Sequence, residues 1–329
     1  MPTNPALPST PEPLRLGAFA DPVLVDPGPR LLRAVVAGYR EAAPALVEPS
    51  VADLSGGAGD TGADDPDPSE IPTLKVLAGE SAVDDATAGF RSASRLAALV
   101  DADAVELRVL DAPQPNPVLA GEETGFALIG SERAGAAAEP GGWYPVGDDA
   151  SLRERYGSRF AEAEPYGLRT PSRRRVYEGI AARCDESVAA AVLGALDVTD
   201  GAGDTGDDAG DTGDDAGDTV DSAGDTPGGS GDASADGPDP EAARVRAYAV
   251  GAREGVLDRT LRRACEDAGL GSPSTFTRIK RLLRAADLIE TVAEPQPVGR
   301  PRERLAPRGA LAAAETPEET VAAVRDVTE

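Results

Sequence analysis

Between residues 19 and 196 the apolar positions alternate between two periods. Pro22-Val-Leu-Val25, Leu74-Lys-Val-Leu77, Val105-Glu-Leu-Arg-Val-Leu110 and Phe126-Ala-Leu-Ile129 are short apolar or alternating runs that predict strands. Helical spacing intervenes. Pro29-Arg-Leu-Leu-Arg-Ala-Val-Val opens one helix, and a second runs from about Ser81 to Val100. Asp149 is placed to cap a helix from Ser151, and Pro171 to sit at N1 of one long helix ending near Leu196. Strands separated by helices predict an α/β domain over 19–196, its sheet mixed or mostly parallel. It is read as a regulatory or dimerisation domain.

Beyond residue 240 the strand period gives way to helices. Val245, Tyr248, Ala249, Ala252 and Val256 recur at helical spacing, and Leu257, Leu261, Ala264 and Ala268 continue it. Gly269-Leu-Gly-Ser272 then supplies a turn, with Ser272 as N-cap and Pro273 at N1 of a helix to about Ala286. At 100° per residue, Phe276, Ile279, Leu282, Leu283 and Ala286 fall on one face. Ser274, Thr277, Arg278, Lys280, Arg281 and Arg284 fall on the other. Leu288-Ile-Glu-Thr-Val292 predicts a strand, followed by an Arg-rich tip with Gly299-Arg300-Pro301-Arg302. Helix, turn, basic helix, strand and tip predict a winged helix-turn-helix over 241–309.

Such a helix fits a major groove about 12 Å wide. Thr277, Arg278 and Arg281 stand early enough to meet base edges, and Lys280 and Arg284 suit phosphates. Arg300, held between Gly299 and Pro301, suits a narrow, electronegative minor groove. The expected partner is double-stranded DNA. Reading a two-fold symmetric site takes two copies, so a homodimer is expected. The alternative is a winged helix that binds protein and never touches DNA.

Two low-complexity stretches interrupt these patterns. Residues 200–240 hold 13 Asp and no Lys or Arg, and repeat Ala-Gly-Asp-Thr-Gly-Asp-Asp from Ala202 and again from Ala209. With no apolar heptad pair and no Glu-terminated calcium loop, 197–240 reads as a disordered charged linker. Residues 55–69 share its vocabulary and read as a loop insertion. Residues 1–18 read as a disordered start, and Thr316 to Val327 as a helix within a C-terminal segment 310–329.

Charge sharpens the contrast. The 329 residues carry 32 Lys+Arg against 58 Asp+Glu, a net charge of −26, yet 241–309 holds 14 basic and 9 acidic residues. Only Lys75 and Lys280 are lysines, a balance that resembles proteins of salt-accumulating archaea. In molar salt the screening length is about 3 Å, so short-range contacts decide binding. There is no histidine, which excludes a Ser-His-Asp triad and His-ligated zinc. Cys184 and Cys265 read as isolated structural thiols, and Trp143-Tyr144 as core or interface packing. Asp64-Asp65, Asp84-Asp85 and Asp148-Asp149 fit helix N-termini or loops better than acid/base sites, so no enzyme, cofactor or metal is expected. No signal peptide or membrane-length apolar run is visible, so a cytoplasmic location is expected. Arg169, Thr170, Arg173, Arg174 and Arg175, around the start of a helix, are candidates for a phosphorylated or sugar effector.

The run Ser274-Thr-Phe-Thr-Arg-Ile-Lys-Arg-Leu-Leu-Arg284 with Val298-Gly-Arg-Pro-Arg302 resembles the TbsP family of haloarchaeal transcriptional regulators. Asp21-Pro-Val-Leu-Val-Asp-Pro27, Tyr156-Gly-Ser-Arg-Phe160 and Leu168-Arg-Thr-Pro-Ser-Arg173 extend the resemblance through the first domain. It implies a DNA-binding regulator of carbon-metabolism genes. The Asp/Gly/Thr insertions depart from the family's compact pattern.

Overall fold

The structure is a computed structural model that describes residues 4–8, 13–56, 71–130, 141–147, 150–199, 237–296 and 301–328. The first half is a mixed six-stranded sheet. Its strands are β3 (Val23–Val25), β4 (Leu74–Ala78), β5 (Val105–Val109), β6 (Val118–Ala120), β7 (Gly125–Ile129) and β8 (Gly142–Gly147), in the order β5-β4-β3-β6-β7-β8. The pairs β3/β4 and β4/β5 are parallel, and those from β3 through β6 and β7 to β8 are antiparallel. Two short strands, β1 (Ala6–Leu7) and β2 (Leu14–Arg15), pair separately.

Alternation along the strands sorts side chains into two layers. Leu24, Leu74, Val76 and Leu107 meet Leu31, Leu32, Val35 and Tyr39 of α1 (Pro29–Ala42), together with two helices further along. Val23, Val25 and Leu77 face the opposite way, onto Tyr156 and Phe160 of α6 (Ser151–Glu162). Helices therefore cover both faces. Arg108 on β5 donates to the carbonyls of Ala161 and Ala163 at 3.3 and 3.0 Å, closing the end of α6, and its guanidinium lies over the Phe160 ring.

Several expectations change. The expected 81–100 helix divides into α4 (Glu80–Ala86) and α5 (Phe90–Asp101), because Gly89 is the N-cap of the second. Two further short helices, α2 (Pro44–Val47) and α3 (Val51–Ser55), lie between α1 and β4. The long helix to Leu196 is two: α7 (Arg173–Ala181), capped by Ser172 rather than opened by Pro171, and α8 (Glu186–Asp197), capped by Asp185. The start is ordered where it is described, since Leu7 and Leu16 are buried and join the sheet core. Asp84 and Asp85 sit in the last turn of α4, where Asp84 accepts from the Tyr166 hydroxyl at 2.7 Å. Trp143 is buried but Tyr144 is exposed. Asp148, Asp149 and the stretches 57–70 and 200–236 lie outside the described residues.

A second core lies among the later helices. α7 and α8 leave the sheet and pack with α9 (Pro240–Arg253), α10 (Asp258–Asp267), α11 (Pro273–Ala285), α12 (Gly309–Ala313) and α13 (Pro317–Thr328). Gly179 makes the α7–α10 approach possible: a Cβ there would stand 2.7 Å from the Ala268 backbone. Arg246 of α9 is 2 % exposed and donates to the carbonyls of Ala195 and Val198 at 3.2 and 2.6 Å, satisfying the end of α8. α7 and α8, read from sequence as part of the α/β domain of 19–196, thus share their core with the later helices. Among the described residues no helix is long and apolar enough to cross a membrane.

Candidate nucleic-acid interface

α9, α10 and α11 form the helical part of the interface. α10 ends at Gly269, whose φ of +79° suits the left-handed residue that closes a helix. Ser272 then accepts from the Thr275 amide, and Pro273 begins α11. Phe276, Ile279 and Leu283 are fully buried, with Phe276 stacked on Tyr248 at 5.9 Å between centroids. Leu282 and Ala286, expected on that face, are exposed, because α11 meets its neighbours along a narrower stripe.

Behind α11, β9 (Ile289–Glu294) and β10 (Arg302–Pro307) form an antiparallel wing with Arg302 opposite Glu294. A third strand is reduced to one bridge between Leu257 and Arg304, secured by the Leu305 amide on the Val256 carbonyl at 3.1 Å. The tip residues 297–300, including Arg300, lie outside the described residues.

The expected contact residues have different surroundings. Ser274, Arg281 and Arg284 are exposed, and among the described residues Arg281 and Arg284 have no ion-pair partner. Thr277 is exposed but held, donating to the Pro273 carbonyl at 2.9 Å and accepting from Arg262 at 3.2 Å. Arg278 pairs with Glu241 at 2.8 Å, and both are about half exposed. Lys280 is turned inward instead of toward a phosphate: it bonds Asp258 at 3.0 Å and Glu303 on the wing at 2.5 Å. Arg302 is exposed at the start of β10.

Asp258 is the residue that sequence reasoning missed. It is 3 % exposed and accepts from Tyr248 of α9 at 2.5 Å, Arg262 of α10 at 2.8 Å and Lys280 of α11 at 3.0 Å. One buried carboxylate therefore joins all three helices, and through Lys280 the wing. Burial and that carboxylate raise the pKa of the Tyr248 hydroxyl strongly, so it stays a donor. Asp258 near the start of a predicted helix, with cations four and 22 positions on, was a weak signal.

The proposed effector cluster is only partly brought together. Arg169, Thr170 and Arg175 line a cleft of about 250 Å³, with Asp101 of α5 and Gly269. Ser172 donates to the Asp101 carboxylate at 2.7 Å, so an internal acid already occupies the start of α7. Arg173 is buried, bonded to the Pro49 carbonyl at 3.1 Å and to Asp197. Arg174 is exposed.

Three packed helices with a two-stranded wing define a winged helix-turn-helix. Residues 40–171 match the family model for the transcriptional regulator TbsP-like N-terminal domain, and 211–325 that for the TbsP-like C-terminal HTH domain. The chain belongs to the TbsP-like transcriptional regulators. No curated protein and no solved structure matched it.

Proposed function

We propose that this regulator reads double-stranded DNA at promoters, with α11 in the major groove and the wing against the adjacent minor groove. The observation that carries this is the outer face of α11, where Arg281 and Arg284 project without ion-pair partners among the described residues, beside Ser274, Thr277 and Arg278. Arg278 can exchange Glu241 for a phosphate at little cost, since exposed pairs are worth about 0–1 kcal/mol. Lys280 acts by positioning, joining α11 to the wing through Asp258 and Glu303. The Gly299-Arg300-Pro301 tip and Arg302 complete the reading from sequence.

The family resemblance extends the proposal to carbon-metabolism genes, the symmetry of DNA sites to a homodimer on two half-sites, and the arginines near the start of α7 to an effector-responsive first domain. The composition suits work in concentrated salt. The test is chromatin immunoprecipitation of wild type against Arg281→Ala/Arg300→Ala in native salt, with binding to a recovered promoter measured by anisotropy. Removing two groove contacts weakens binding at least ~30-fold, from about 1 kcal/mol or more each. Unchanged promoter occupancy would overturn the reading in favour of a protein-binding winged helix.

A further inference from the structure

We infer that the cleft between α1, α4 and α5 is a binding site for a small organic anion, a carboxylate or phosphate on a compact apolar body. The site is separate from the DNA-reading face and from the Arg169 cleft. Its volume is about 210 Å³. Leu32, Val36 and Leu96 form its floor, and Arg33, Arg40 and Arg95 stand among its polar lining. None of the described residues lining it is acidic, in a chain of net charge −26. By contrast Asp101 shares the Arg169 cleft, which makes that cleft the poorer place for an anion.

The arginines already hold a carboxylate from the protein itself. Glu48 accepts from Arg95 at 3.0 and 2.6 Å, and lies 3.6 Å from both Arg40 and Arg91. Three guanidinium groups thus share one carboxylate, leaving positive charge to spare at the cleft. Arg33 is steadied by its bond to the Asp85 carbonyl at 2.6 Å. A planar fork that already binds one carboxylate this way can bind a second, or a phosphate, with the same donors. Size limits the rest of the ligand. An apolar cavity of about 150 Å³ holds benzene, so this one takes a ring or short branched chain with one anionic head.

The site also touches the joint between the two cores. Glu48 binds Arg91, which donates to the Asp197 carbonyl at 3.1 Å at the end of α8. The next residue, Pro49, accepts from Arg173. An anion that draws Arg40 and Arg95 from Glu48 therefore acts two bonds from α8.

Isothermal titration calorimetry of the full chain tests this without DNA, so failure leaves the DNA reading untouched. Benzoate, phenyl phosphate and neutral phenol are titrated at the lowest KCl concentration that keeps the chain folded. One saturable site per chain is expected for at least one anion, with phenol at least tenfold weaker. Which anion binds better identifies the head group. Arg40→Ala, at a side chain 41 % exposed, should weaken binding at least tenfold. Ala37→Trp should abolish it by filling the cleft, and Arg169→Ala should leave it unchanged. Absence of saturable heat with both anions, equal binding of phenol, or binding unaffected in Arg40→Ala and Ala37→Trp would overturn the site.

Discussion

Four helix ends are built by one device with two different residues. α9 shows it at Gly255, whose amide bonds Ala252 while the Val256 amide bonds Gly251, both at 3.0 Å. α10 closes through the Gly269 amide on Glu266 and the Leu270 amide on Cys265, both at 2.9 Å. α5 ends the same way at Asp103, and α11 at Asp287, with φ of +55° and +54°. An L residue in this conformation is strained by up to about 1–2 kcal/mol, less for Asp than for most. Asp103→Gly should therefore raise stability by about 0.5–1 kcal/mol, read as a higher denaturant midpoint. Asp287→Gly should gain less, because it gives up the exposed pair with Arg308 at 3.2 Å. A fall in midpoint for Asp103→Gly would contradict the strain argument. The cysteines make a second prediction. Burial pushes the Cys184 thiol up to about 11 and the fully buried Cys265 further. The folded chain then keeps protons that the unfolded chain releases near pH ~8.5. Their contribution to stability is complete below that pH and is lost as pH rises through about 11. Iodoacetamide at pH ~7.5 should label neither cysteine in the folded chain and both in denaturant, since only the thiolate reacts. Rapid labelling of folded Cys184, read by mass spectrometry, would refute this.

At the scale of the element, Lys280 and Arg281 separate two jobs that adjacent positions cannot share. Lys280 faces the buried Asp258, and Arg281 faces solvent. Lys280→Ala should cost about 1–3 kcal/mol, because Asp258 loses one of its buried donors. Arg281→Ala should change stability by less than about 0.5 kcal/mol yet weaken DNA binding about tenfold or more. Denaturant unfolding and anisotropy on the same samples check both, and the reverse pattern would refute the assignment. The 100° projection made α11 legible because Phe276, Ile279 and Leu283 repeat at its period. It could not separate Lys280 from Arg281, since the partner that decides is 22 positions earlier in sequence and meets Lys280 only through packing. The sheet shows the same limit. Strands β3, β4, β5 and β7 were legible from apolar runs. β6 is only three residues long after a Pro-rich stretch, and β8 reads Gly-Trp-Tyr-Pro-Val-Gly, whose Pro and glycines mask its strand-forming aromatics. β6 is held between β3 and β7, and β8 is held at the sheet edge by β7.

For the whole molecule, the helices α7 and α8 that precede the Asp-rich stretch share a core with the helices that follow it. Its described flanks lie side by side: a Cβ on Gly237 would be 3.7 Å from the Leu196 carbonyl, and the Phe90 amide bonds the Pro238 carbonyl at 2.7 Å. The chain leaves one core after α8 and re-enters the same core at α9. Replacing 200–236 with a six-residue Gly/Ser loop should therefore preserve the fold and add ~1–2 kcal/mol, from closing a shorter loop. A loss of stability on calorimetry would show that the segment contributes contacts of its own. The sharper contrast comes from where the chain is cut. Val176, Ile180, Val188, Val192, Leu193 and Leu196 of α7 and α8 are at most 3 % exposed in the core they share with α9 and α10. Each such side chain contributes about 1.5–3 kcal/mol on burial, so together they supply on the order of 10 kcal/mol. That equals the entire stability of an ordinary domain, about 5–15 kcal/mol. A fragment 172–329 should fold with a cooperative thermal transition, whereas 237–329 should show none by circular dichroism, although it contains the whole winged helix. Cooperative unfolding of 237–329 would place the boundary at the Asp-rich stretch. Its failure alongside a folded 172–329 would mean that any signal reaching α8 from the first domain already bears on the core that holds α11.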